Sequence, residues 1–118
     1  MTPEFRAWYT PFKDSNFGQT MKYGRAGTIL NFAEMSPDKY VVEQYTGLKD
    51  VNGNKIFEGD IVHCENDYQG TDYTGKVMFF NGGFCVWTGG FRNYVWDDMI
   101  PEIIGNIHEN PELLEVDE

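Results

Sequence analysis

The stretch QYTGLKDVNGNKIFEGDIV, Gln44 to Val62, decides how this 118-residue chain is read. Tyr40 to Tyr45 leads into it and is β-rich. Thr46-Gly47 and Asn52-Gly53 mark tight turns, and Asn-Gly is the strongest short-range hairpin signal because both residues tolerate positive φ. Ile56 and Phe57 are expected in the core. Gly59-Asp60 is expected to turn the chain into the strand beginning at Ile61-Val62, with Asp60 capping backbone N–H groups there.

Working outward, Phe5 to Tyr9 reads as a strand ended by Pro11, which donates no backbone hydrogen bond. Gln19 to Tyr23 and Thr28 to Phe32 read as strands separated by a turn at Gly24 to Gly27. Asn66 to Thr74 is polar and is expected to be a loop. Gly75 to Phe80 and Phe84 to Thr88 flank a hairpin turn at Asn81-Gly82-Gly83. Phe91 to Trp96 follows Gly89-Gly90. Pro101 is expected to interrupt the chain before a last strand, Glu102 to Ile107. Asn110-Pro111-Glu112 has the residue order of a helix start. Aromatic residues make up 16% of the chain, which favours half-buried pleated surfaces. Short strands with Gly turns predict a mostly β fold. Residues 1–55 are expected to form an N-terminal β part. Residues 56–118 are expected to form an SH3-like small barrel with a short C-terminal helical turn, the two packed as one compact unit.

The net charge of −10 is unevenly placed. Met1 to Lys55 holds seven bases and six acids, whereas Ile56 to Glu118 holds thirteen acids against Lys76 and Arg92. Such a half repels nucleic acid and favours basic partners. It also keeps a small protein dispersed. No early apolar run suggests a signal peptide and no segment suggests a membrane span, so a cytoplasmic protein with reduced Cys64 and Cys85 is expected.

Catalytic patterns are missing from the sequence. Ser15 and Ser36 lie in no nucleophile elbow. Cys85, between Phe84 and Val86, reads as a buried strand residue. A pairing of Cys64 or Cys85 with His108 lacks a helix N-terminus to lower the thiol pKa. His63 and Cys64 point to opposite faces of a strand, so with Cys85 and His108 they make a poor zinc set. Asp50, Asn52 and Asn54 resemble a calcium loop, but Lys55 stands where that loop needs Gly and Ile61 where it needs Glu. No cofactor and no metal are expected, and the chain is not expected to be an enzyme. Aromatics beside acids give the candidate interaction surface: Trp87, Tyr94, Trp96, Asp97 and Asp98.

Four segments together resemble the YopX family of phage and prophage proteins. They are FRAW (Phe5 to Trp8), the central Gln44 to Val62 stretch, GKVMFFNGGFCVW (Gly75 to Trp87) and EIIGNIHENPELL (Glu102 to Leu114). The resemblance implies an N-terminal β part, a C-terminal SH3-like barrel and a place inside a bacterial cell. It implies no activity. The expected function is therefore a non-enzymatic module that binds a host or phage protein. The alternatives are a nucleic-acid-associated small barrel using Arg6, Lys13, Lys22 and Arg25, or an acidic DNA mimic. Homo-oligomerisation is compatible with a small aromatic-rich barrel.

Overall fold

A computed structural model describes residues 4–12, 15–66, 71–80, 83–87, 92–93 and 100–114. The chain divides into two compact units, Met1–Tyr45 and Thr46–Glu118. It is mostly β, with two antiparallel sheets and one short α-helix.

The first unit is built on β1 (Glu4–Tyr9), β2 (Thr20–Arg25) and the first half of β3 (Tyr40–Lys49). β1 lies between the other two, antiparallel to both. A helix, α1 (Ala26–Met35), follows β2 directly and lies against β1 and β2. The expected strand at Thr28 to Phe32 and the turn at Gly24 to Gly27 are thus corrected to a helix and the end of β2. Ala26, Ile29 and Ala33 recur at helical spacing on one face, and Ala, Leu, Glu and Met favour the helix. Ile29 is buried. The helix stops where Ser36 N donates to Phe32 O and Pro37 follows.

β1 is buried at three consecutive residues, Arg6, Ala7 and Trp8. Side chains alternate across a strand, so both faces of this sheet are covered at its centre. Register sets Arg6 opposite Glu43, and Arg6 Nε donates to Glu43 Oε1 at 2.8 Å. Their side chains are 3% and 5% exposed. Two opposite charges in direct cross-strand register fix that register, because a one-residue slip would leave each charge unpaired.

The second unit begins inside β3. The outer half of β3 continues through Lys49, and the first sheet runs in the order β2-β1-β3-β4, with β4 at Lys55–Phe57. Then come β5 (Asp60–Asn66), β6 (Thr71–Phe80), β7 (Gly83–Trp87), β8 (Arg92–Asn93) and β9 (Ile100–Asn106). These five make an antiparallel sheet of order β8-β7-β6-β5-β9, open at β8 and β9 among the described residues. A 3₁₀ turn at Pro111–Leu114 realises the expected helix start. Thr71 to Thr74, expected as loop, belongs to β6 and pairs with His63 to Asn66. Pro101, expected to interrupt the chain, lies within β9 opposite Cys64. An edge strand tolerates it because one side of an edge needs no N–H donor. The pairing of β5 with β9 shifts between Ile61 and Val62, leaving Ile104 as the extra residue.

One face of the second sheet supplies its core. Val62 and Cys64 on β5, Val77 on β6 and Val86 on β7 join Ile56, with half-buried Ile103 against them. Cross-strand register puts Val77 beside Val86 and Val62 beside both Gly75 and Ile103. Each fully buried aliphatic side chain here stabilises by about 1.5–3 kcal/mol.

The Arg6–Glu43 pair has a two-part expectation. Arg6→Ala removes the counter-charge of a buried carboxylate and should cost about 3–5 kcal/mol in urea unfolding. The double substitution Arg6→Met with Glu43→Leu removes both charges and should recover most of that loss. Equal destabilisation by the single and double variants would refute this account of the pair.

Candidate functional site

The central motif supplies most of the polar geometry in the second unit. Asp50 N donates to Asn54 O and Gly53 N donates to Asp50 O, closing a three-residue hairpin loop with Gly53 at φ 83°. That is the left-handed position such loops reserve for glycine. Asp50 is buried, and its carboxylate is fully engaged. Oδ1 accepts from Asn52 N and Asn54 N at 2.9 Å each, and Oδ2 accepts from Ile103 N at 3.0 Å. Burial by itself would raise the Asp50 pKa. Donors from Ile103, Asn54 and Asn52, with the Asn54 side chain, outweigh burial and hold the carboxyl below its ordinary range. One side chain thereby ties the β3–β4 loop to β9, and Val51 N adds a bond to Pro101 O.

Thr46, Asp60, Asn106 and Asn110 work in the same way. Thr46 Oγ1 donates to Ile56 O and accepts from Leu48 N. Asp60 Oδ2 accepts from Phe57 N at 2.8 Å across the turn that holds Gly59 at φ 84°. Asn106 Oδ1 accepts from His108 N and Glu109 N, while Asn110 Oδ1 accepts from Asn106 N. A Cβ on Gly105 would stand 2.6 Å from Asn110 Oδ1, so this strand end needs glycine. Asn106, at the end of β9, pairs with Asp60 of the central segment.

His63 Nδ1 is 3.2 Å from Thr74 Oγ1. Cys64 and Cys85 are buried and not disulfide-bonded. Among the described residues no group of three or more His, Cys, Asp or Glu could hold a metal ion. Among the described residues no helix is long and apolar enough to cross a membrane. Of the five candidate interaction residues, Trp87 is half-buried on β7, while Tyr94, Trp96, Asp97 and Asp98 lie outside the described residues. Register sets Trp87 directly between Lys76 on β6 and Arg92 on β8. These are the two bases of the otherwise acidic stretch after Lys55.

An aromatic group that the sequence reading did not single out lies in the first unit. Tyr9 and Tyr40 stack with centroids 4.8 Å apart, and Phe32 stacks on Tyr40 at 6.1 Å. Lys22 Nζ sits 5.1 Å from the Tyr9 ring centroid. Once β1 and β3 are paired, Tyr9 and Tyr40 become direct cross-strand neighbours. Only the helical reading of residues 26–35 would have added Phe32. The first unit also exposes Phe12, Phe17, Tyr23, Leu30, Phe32, Met35 and Val41.

The Asp50 contacts predict a pH signature. Asp50→Asn keeps one acceptor oxygen but replaces the other with a donor, and should cost about 1–3 kcal/mol at pH 7. A depressed folded pKa means that the stabilisation is present above the unfolded value, near about 3.9, and is lost as pH falls through the lower folded value. The stability gap between wild type and Asp50→Asn should therefore stay constant from pH 7 to 5 and narrow only below about pH 4. A gap that narrows near neutrality would contradict the assignment.

The crystal structure of protein EF1440 from Enterococcus faecalis is similar at 28% identity, with a TM-score of 0.55, over 98% of this chain and 99% of that one. No curated protein matches. The family model described as YopX protein matches residues 4–115, nearly the full length. The chain belongs to the YopX family.

Proposed function

We propose that this chain is a phage or prophage protein that acts in the bacterial cytoplasm as a non-enzymatic protein-interaction module. The observation that carries the reading is where the exposed apolar side chains fall. Phe17, Tyr23 and Met35 are 75%, 63% and 81% exposed, and all three lie in the first unit. That unit carries five bases and five acids, so no net charge keeps a partner away. Exposed apolar side chains mark contact surfaces where they lie together. The polar side chains of the central motif, by contrast, serve backbone donors and so are engaged in folding. Trp87, Tyr94, Trp96, Asp97 and Asp98 are a second contact region under the same reading.

For the second unit, the strand order supports an SH3-like barrel. β5 to β8 form a meander and β9 returns to pair with β5, which is the connectivity of that fold. Nucleic-acid association is the weaker reading. Of the bases it would use, Arg6 is buried against Glu43 and Lys22 lies over Tyr9.

The test is an affinity capture of the tagged protein from bacterial lysate, with and without nuclease, read by mass spectrometry. The expected result is a captured protein that survives nuclease and is lost when Phe17, Tyr23 and Met35 are replaced by Ser. The substitutions at Phe17 and Met35, which lie outside the strands, should each change folding stability by no more than about 0.5 kcal/mol. Capture that disappears with nuclease would instead support nucleic-acid association, and the absence of any captured protein would count against the module.

A further inference from the structure

The loop between β3 and β4 carries a reactive pair. Asn52 is followed directly by Gly53, and both are exposed. The side-chain amide carbon of an asparagine can be attacked by the backbone nitrogen of the next residue. Both reacting atoms then belong to adjacent residues, and water is the only co-reactant. Glycine obstructs this attack least, because it carries no side chain. Asn54, two residues on, precedes Lys55, whose side chain hinders the same attack. The second Asn-Gly pair of the sequence, Asn81-Gly82, lies outside the described residues.

The loop's own hydrogen bonds oppose the reaction. To react, Gly53 N must lose its proton and close on Asn52 Cγ. In the turn it donates that proton to Asp50 O at 3.0 Å. Asn52 N and Asn54 N are both held at 2.9 Å on Asp50 Oδ1, so the residues on either side of Gly53 are fixed to one carboxylate. The same carboxylate reaches Ile103 N on β9 through Oδ2. Ring closure therefore requires the turn to open first, and a folded chain opens a hydrogen-bonded turn for only part of the time.

We propose that Asn52 is a site of spontaneous deamidation, restrained by the folded loop, and that its conversion loosens the β3–β4 loop from β9. The inference does not depend on the interaction-module reading. The Gly53 N–Asn52 Cγ bond forms, the Cγ–Nδ2 bond breaks, and ammonia leaves with the proton from Gly53 N. Water then opens the resulting succinimide at either carbonyl, giving aspartate or isoaspartate with no change in oxidation state. Isoaspartate routes the main chain through Cβ and Cγ, which adds one carbon between Asn52 Cα and Gly53 N. The turn that places Asn52 N and Asn54 N on a single oxygen does not accommodate that length. Either product also sets a carboxylate where Asn52 Nδ2 now lies 3.5 Å from Glu102 Oε2, in a loop that already buries Asp50. Like charges this close disfavour each other.

The experiment ages the full chain in mildly alkaline buffer, folded and in guanidinium chloride, and follows the tryptic peptide Asp50 to Lys55 by mass spectrometry. Fragmentation distinguishes Asn52 from Asn54 and isoaspartate from aspartate. The expected result is conversion at Asn52 in both states, about tenfold or more slower in the folded chain. Asn52→Gln, whose amide carbon stands one methylene farther from the attacking nitrogen, should keep its melting temperature and abolish the conversion. The converted folded protein, separated by its added negative charge, should exchange the Asn54 and Ile103 amides faster, while β1 amides keep their protection. No conversion at Asn52 in the folded chain, equal rates in the two states, or unchanged exchange at Asn54 and Ile103 would each overturn the proposal.

Discussion

The Asp50 carboxylate is the constraint on which the second unit depends. A charged group is normally costly to bury, and here two oxygens meet three backbone N–H donors from two distant parts of the chain. Without them the loop after β3 would lose the acceptor that shapes it, and β9 would lose a bond on its outer side. The loop glycine at position 53 belongs to the same device, since its positive φ lets Asp50 and Asn54 close the turn.

Asp50 is one case of a wider economy in this chain. Strands of two to ten residues create many strand ends, and each end leaves N–H and C=O groups without a ladder partner. Thr46, Asp60, Asn106 and Asn110 supply the missing partners from short side chains, which reach only the backbone close to them in sequence or register. This explains why the most distinctive residues of the family motif sit at turns. The first unit uses a different solution. Its sheet is pinned by a cross-strand ion pair at the centre and by Ile29 from a helix, and on β1 the buried Arg6 is followed directly by the buried apolar Ala7 and Trp8.

The legible parts of the fold were those written in local chemistry. The Asn52-Gly53 hairpin, the Gly59-Asp60 turn, the burial of Ile56 and Phe57, and the 3₁₀ start at Pro111 follow from residue types that act within four positions. The helix at Ala26–Met35 was not legible in a window of five residues, because Thr28 to Phe32 alternates well enough for a strand; its face is visible only from Ala26 to Ala33. The first residues of β6 were hidden for the opposite reason. Thr71 to Thr74 is polar, and only pairing with β5 makes it a strand. Arg6 looked like a surface base until β3 placed Glu43 opposite it. At the candidate site, Trp87 could be named from sequence, but its flanking by Lys76 and Arg92 could not, since that requires the registers of three strands.

Charge shows the same limit of one-dimensional reading. The division at Tyr45 assigns fourteen acids and four bases to the second unit and leaves the first balanced. Two of those acids, Asp50 and Asp60, are buried as acceptors for backbone N–H groups and contribute little to the outward field. The remaining surface acidity acts at long range and is screened within about 8 Å at physiological salt. Register then sets where single cations fall: Lys22 and Arg25 share β2, with Arg25 opposite Glu4, and Lys76 and Arg92 are both in register with Trp87. The net charge averages over these positions and so does not describe the charge at any one strand.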